Sequence, residues 1–149
     1  MDKKKVLFIC GHNSGRSQMA EAFLNDFAQG RVYVESAGLA PKPVNPLVVE
    51  VMQEIGYDLS RVRSDSVFDF FKEGRLYDYV ITVCDDTAGA QCPVFPGITE
   101  RLHWPFPDPE KLAGTREEKL TELRKIRDQV REKVSAWIST GASPVLIKH

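Results

Sequence analysis

The chain switches between two hydrophobic rhythms. Val6–Cys10 is a short unbroken apolar run, the pattern of a strand covered on both faces. From Ser17 the period changes. Met19, Phe23 and Phe27 recur at i, i+4 and i+8, with Ala20 and Leu24 beside them, which predicts a helix that Gly30 ends. Arg31–Ser36 alternates as a strand does. Asn45-Pro46 pairs a capping side chain with proline at the first helical position. The helix it starts runs through Val49, Met52 and Ile55 and stops at Gly56. Asp78–Val83 reads as a third, buried strand, and Arg101–Trp104 as a short fourth. Thr115-x-x-Glu118 has the form of a capping box. Behind it Leu120, Leu123, Arg127, Val130, Val134 and Trp137 keep helical spacing to Gly141. The charged residues within Arg116–Lys133 are expected to be the solvated side of that helix.

Strands alternating with helices predict an α/β fold around a mainly parallel sheet. Ligands of such sheets sit beyond the carboxyl ends of the strands. Cys10 and Cys84 both fall at such ends. No repeat, low-complexity tract or linker divides the 149 residues, so they read as one domain whose last few residues form a loose tail. A domain of this size buries roughly 68–70% of its unfolded surface and needs no staples. The formal net charge of −1 argues against a nucleic-acid arm or a basic membrane patch. After Met-Asp-Lys-Lys-Lys the apolar run is too short for the core of a signal peptide, and no stretch approaches the roughly 18 apolar residues of a membrane span. A cytoplasmic monomer is therefore expected. There Cys10, Cys84 and Cys92 rest as thiols, available for catalysis or redox chemistry. No Cys-x2-Cys pair or His-rich tract suggests zinc. His103 and His149 read as surface histidines.

The chemistry concentrates in Cys10-Gly11-His12-Asn13-Ser14-Gly15-Arg16-Ser17, between the first strand and the first helix. Gly11 and Gly15 allow positive φ and a tight curl. A curled loop that ends at a helix start aims several N–H groups at one point, where the helix dipole also favours negative charge. Arg16 adds a planar fork for two oxygens of a tetrahedral anion. His12 can lend a further donor or face solvent. Cys10 sits at the base of this electropositive bowl, a setting that favours the thiolate. A thiolate under a bound oxyanion is placed as an in-line nucleophile.

Val-Leu-Phe-Ile-Cys-x-x-Asn-Ser-x-Arg-Ser-x-Met-Ala-Glu resembles the low-molecular-weight protein tyrosine phosphatases. It resembles still more closely the thioredoxin-coupled arsenate reductases built on the same fold. Ser17-Gln18-Met19-Ala20-Glu21 has the reductase form, since the phosphatases usually carry proline where Gln18 stands. The resemblance continues through Glu35-Ser36-Ala37-Gly38, Asn45-Pro46, Gly56-x-Asp58-Leu59-Ser60, Ser64-Asp65, Val83-Cys84-Asp85 and Asp108-Pro109, so it spans nearly the whole chain. It implies a single catalytic domain over residues 1–149, with a three-layer α/β/α architecture and a four-stranded parallel sheet. Two departures stand out. His12 replaces the usual glycine, and Gly15 replaces the usual second cysteine of the loop.

The resemblance also assigns roles. Asp108, held between Pro107 and Pro109, would be the general acid that protonates the leaving oxygen. Cys84 would attack the adduct of Cys10 with arsenic, releasing arsenite and forming a Cys10–Cys84 disulfide. Cys92 would then take over Cys84, leaving Cys84–Cys92 for thioredoxin. On a regular helix Cys84 and Cys92 would be ~12 Å apart, beyond the ~7 Å a disulfide spans, so the segment between them must be a loop or unwind. Asn13, Glu21, Ser36 and Asp65 match positions that bind potassium in some of the similar reductases; no cofactor is implied as obligatory. Two rivals stay open from the sequence: a phosphatase acting on aryl phosphates, and a non-catalytic module that binds arsenate, phosphate or sulfate or senses thiol redox state.

Overall fold

The computed structural model describes residues 3–84, 95–97 and 99–141. Strand β1 is Lys4–Cys10 and strand β2 is Val32–Gly38, with helix α1, Arg16–Ala28, between them. Helices α2, Pro46–Gln53, and α3, Val67–Lys72, lead to strand β3, Tyr79–Thr82. Strand β4, Glu100–His103, precedes a 3₁₀ turn at Pro109–Lys111 and the long helix α4, Arg116–Ala136. A wider π turn, Trp137–Gly141, extends α4.

The four strands form one parallel sheet in the order β2-β1-β3-β4. β1 is central, and that explains its unbroken apolar run. Val6, Phe8 and Cys10 face one side, into a core shared with α1, α2 and α4. Leu7 and Ile9 face the other, against Val67 and Phe70 of α3 and against Tyr77, Val80 and Phe95. Helices thus cover both faces, as the α/β/α expectation requires. Between β1 and β3 the strand order reverses, and their carboxyl ends open onto the crevice that binds ligands in such sheets.

The elements follow the sequence pattern with informative shifts. β2 runs on to Gly38 because it stays in register with β1, Cys10 pairing with Gly38. α1 stops at Ala28, and Gln29 takes the left-handed cap at φ 49 before Gly30. α3 has no counterpart in the pattern. Six residues with only Val67 and Phe70 buried are too short to establish a helical period, although Ser66 caps it by accepting from Phe68 N. The expected loose tail falls on residues 142–149, outside the described residues.

The charged face of α4 does more than meet water. Arg124 holds Glu54 at 2.7 Å, Arg127 holds the same carboxylate at 3.0 Å, and Arg116 reaches Glu50. Arg127 is buried and also donates to the Val51 carbonyl. These pairs fasten α4 to α2, the helix that follows β2. No helix among the described residues is long and apolar enough to cross a membrane.

Both halves of the expected capping box form: Thr115 accepts from Glu118 N, and Glu118 accepts from Thr115 N. Thr115→Ala is expected to lower stability by about 1 kcal/mol in urea unfolding, the typical cost of losing a cap.

Candidate active site

The loop from Cys10 to Arg16 is shaped by what its carbonyls do. Leu39 N donates to Cys10 O, Ala40 N to Gly11 O, Lys42 N to His12 O and Asn45 N to Ser14 O. Asn13 O accepts from the side chains of Gln18 and Ser64. Five successive carbonyls are therefore drawn outward, mostly to the strap of residues 39–45. In a trans peptide the N–H of the next residue points opposite to the carbonyl. The amides of Gly11, His12, Asn13, Ser14 and Gly15 must then face inward. The Asn13 amide confirms the direction, donating to Cys10 Sγ at 3.1 Å.

Cys10 is 2% exposed, at the floor of this bowl. Its sulfur also meets Ser17 Oγ at 2.9 Å. Ser17 Oγ accepts from Asn13 Nδ2, which leaves its own hydrogen for the sulfur. Two donors converge on Sγ, an arrangement suited to an anionic nucleophile.

Arg16 opens α1 and is buried. Nη1 donates to the Phe106 carbonyl at 3.0 Å, and Nη2 lies 3.7 Å from Asp108 Oδ1. The proline-rich stretch Trp104–Pro109 thus aims the guanidinium. Asp108 caps the 3₁₀ turn by accepting from Glu110 N. The turn role and the position beside Arg16 coexist in one carboxylate. The N-terminal end of α1 adds the positive side of the helix dipole there.

Three details refine the sequence reading. The left-handed residue of the loop is Asn13, at φ 53, rather than Gly11 or Gly15. A Cβ on Gly15 would meet Pro109 and Val48 at 3.4 Å, an ordinary contact distance. The His12 imidazole is turned outward, Nδ1 meeting the Ala40 carbonyl at 2.9 Å, so His12 offers its backbone amide to the bowl.

Cys84 is buried just past β3, its sulfur 3.9 Å from the carbonyl of Ile9, the residue before Cys10. Cys92 and the segment linking it to Cys84 lie outside the described residues. His103 is exposed and paired with Thr82, in keeping with a surface role.

Asn13, Ser36, Glu21 and Asp65 come together behind the bowl. Asn13 Nδ2 donates to Ser36 Oγ at 3.0 Å, Ser36 Oγ to Glu21 Oε1 at 2.5 Å, and Asp65 N to Asn13 Oδ1 at 2.9 Å. Glu21, Ser36 and Asp65 line a cavity of roughly 610 Å³ with Glu35. Burial pushes the Glu21 carboxyl up to about 7; the Ser36 hydroxyl opposes the rise, and the charges of Glu35 and Asp65 add to it.

Sequence reasoning gave no role to Gly38 or to the Phe106 carbonyl. A backbone carbonyl leaves no mark in a sequence. Gly38 leaves a faint one, a glycine at the end of a strand.

The sequence model of the low molecular weight phosphotyrosine protein phosphatases matches residues 5–143, and the chain belongs to that family. Within it, the chain is similar along its whole length to arsenate reductases. The arsenate reductase of Halalkalibacterium halodurans is 39% identical over 141 residues, covering 95% of this chain and 99% of the relative. A solved arsenate reductase in its phosphate-binding state superposes with a TM-score of 0.73 at 33% identity, over 91% of this chain and 97% of the other. The thioredoxin-dependent arsenate reductase of Corynebacterium glutamicum gives 0.60 at 32% identity, over 90% of this chain and 63% of its own.

A Cβ on Gly38 would come within 2.7 Å of Asn13 N and of His12 C. Both are backbone atoms of the bowl and cannot swing aside. Gly38→Ala should therefore cost about 1–3 kcal/mol in urea unfolding, as overpacking does. Calorimetric titration should show weaker binding of inorganic phosphate.

Proposed function

We propose that the chain is a cytoplasmic arsenate reductase in which Cys10, Cys84 and Cys92 form a disulfide relay reset by thioredoxin. One observation carries this reading: a buried Cys10 sulfur that accepts from the Asn13 amide, in a loop whose carbonyls are drawn outward, with a second buried thiol, Cys84, just past the neighbouring strand. The relatives named above support the substrate, and the C. glutamicum relative supports the reductant.

The steps balance as follows. Arsenate enters the bowl, its oxygens held by loop amides and Arg16. Cys10 Sγ attacks arsenic, an As–S bond forms, and one oxygen leaves as water after protonation by Asp108. The thiolate of Cys84 then attacks Cys10 Sγ. A disulfide forms, the As–S pair of electrons passes to arsenic, and arsenic(V) departs as arsenite. Cys92 next attacks Cys84 Sγ and frees Cys10 as a thiolate. The Cys84–Cys92 disulfide is reduced by the dithiol of thioredoxin. Weak hydrolysis of aryl phosphates follows from the same bowl, because phosphate has the shape and charge of arsenate. That side reaction needs Cys10 alone.

A potassium ion belongs to the same proposal. The donors fit: Glu21, Ser36 and Asp65 supply hard oxygens in one cavity. Asn13 backs them, its Oδ1 already accepting from Gln18 and from the Asp65 amide. A bound cation would offset the cost of ionising Glu21 among other carboxylates.

Cys10→Ser should abolish both arsenate turnover and phosphate-ester hydrolysis. Asp108→Asn should lower arsenate turnover by about 10²–10⁴-fold and change the pH–rate profile. Cys84→Ser should stop arsenite release with thioredoxin while sparing aryl-phosphate hydrolysis. Wild-type arsenate turnover in Cys84→Ser would refute the relay.

For the cation, thermal unfolding in potassium chloride is compared with tetramethylammonium chloride at equal ionic strength. Potassium tenfold above its Kd should stabilise the protein by about 1.4 kcal/mol. Glu21→Ala should erase the difference, and identical melting of the wild type in both salts would dismiss the ion.

A further inference from the structure

We infer that Gln18 is a positioning residue of the bowl: its side-chain amide holds the Asn13–Ser14 peptide so that the Ser14 N–H faces the oxyanion. The inference rests on the reading of the bowl as an oxyanion site and names a group outside the bowl that sets its affinity.

Gln18 is the third residue of α1 and is 4% exposed. A buried amide has to be paired, and here the pairing is concentrated. Nε2 lies 3.2 Å from Asn13 O, 3.1 Å from Asn13 Oδ1 and 3.0 Å from Arg63 O. Two of these three acceptors belong to Asn13, the residue at φ 53. A non-glycine residue in that region stays there only when its surroundings hold it.

The orientation matters to the anion. Were the Asn13–Ser14 peptide to flip, the Asn13 carbonyl would enter the bowl and the Ser14 amide would leave it. A donor would be lost, and an acceptor would stand where an anion oxygen belongs. Ser64 Oγ is the other donor to Asn13 O, at 3.0 Å, but it also contacts the Lys42 carbonyl. A hydroxyl has one hydrogen and cannot serve both carbonyls at once, whereas the Gln18 amide has two. Gln18, with two hydrogens for three acceptors, is the side chain that reaches both Asn13 O and Asn13 Oδ1, whereas Ser64 reaches only the carbonyl.

Gln18 also fixes which way the Asn13 side chain points. With Oδ1 accepting from Gln18 and Asp65, Nδ2 is left to face Ser17 Oγ at 2.8 Å and Ser36 Oγ at 3.0 Å. Ser17 then presents its hydrogen to Cys10 Sγ. One side chain outside the bowl therefore orders both an amide above the sulfur and a hydroxyl beside it.

The test measures inorganic phosphate binding by calorimetry and by amide shifts in NMR, with arsenate kinetics alongside. Gln18→Met keeps the bulk and removes the donor. Gln18→Glu keeps the shape, turns an acceptor toward three oxygens and carries the test if Gln18→Met does not fold. The expected result is a phosphate Kd raised about tenfold, equivalent to about 1.4 kcal/mol. The KM for arsenate should rise in parallel, with a smaller fall in kcat. In the wild type the Ser14 amide resonance should move on phosphate addition. Thr115→Ala, in the distant cap of α4, should lower the melting temperature and leave the phosphate Kd unchanged.

Unchanged phosphate affinity in the Gln18 variants overturns the inference. So does a Ser14 amide that ignores phosphate in the wild type, or an equal loss of affinity in Thr115→Ala. A wild-type protein that binds no phosphate would instead remove the oxyanion reading itself, and this inference with it.

Discussion

The site depends on a constraint that lies in the backbone: each planar trans peptide must point its carbonyl and its amide in opposite directions. By drawing loop carbonyls outward, the strap 39–45, Gln18 and Ser64 turn the amides of residues 11–15 toward one sulfur. A bowl that attracts anions is assembled from neutral groups, with Arg16 as the charge added to it. Gly38 lets the strap lie against the loop, and Asn45 ends the strap by capping α2, its Oδ1 accepting from Leu47 N. Arg116, Arg124 and Arg127 of α4 then hold α2 in place. Support for the nucleophile therefore reaches through the strap to the last helix.

The parallel sheet decides where this support is useful. Strand order reverses between β1 and β3, so their carboxyl ends border open space, and a loop leaving β1 there can curl without competing for sheet hydrogen bonds. The same topology delivers Cys84 from the adjacent strand. A phosphatase needs only the first of these features, since water resolves its covalent intermediate. Reduction of arsenic(V) requires two electrons, which two thiols supply by joining as a disulfide, and the neighbouring strand brings a second thiol to the first.

Much of the fold was legible because its signals are strong and local. The apolar run of β1, the i, i+4 spacing of α1, the Asn45-Pro46 start and the Thr115–Glu118 box each carry a local cause, and each stands within a few residues of its expected place. The loop was legible for the same reason, cysteine, arginine and glycine at fixed spacing before a helix. What stayed hidden depends on contacts between distant parts of the chain. α3 is too short to show a period. The strap acts through backbone amides that any sequence possesses. Arg16 is aimed by a carbonyl ninety positions away, at Phe106. The face of α4 is largely solvated as expected, but the partners of Arg116, Arg124 and Arg127 lie far away in sequence, at Glu50 and Glu54. The left-handed loop residue proved to be Asn13, where an amide side chain tied on both ends replaces glycine's freedom.

The pairing register has a consequence for how the sulfurs of Cys10 and Cys84 can meet. Ile9 pairs with Thr82, so Cys10 and Cys84 lie one and two residues beyond a matched pair on adjacent parallel strands. At strand spacings of about 4.8 Å across and 3.3 Å along, that offset places their Cα atoms about 6 Å apart, inside the span a disulfide bridges. A sulfur–sulfur bond between them would close by rotating side chains on a scaffold already set.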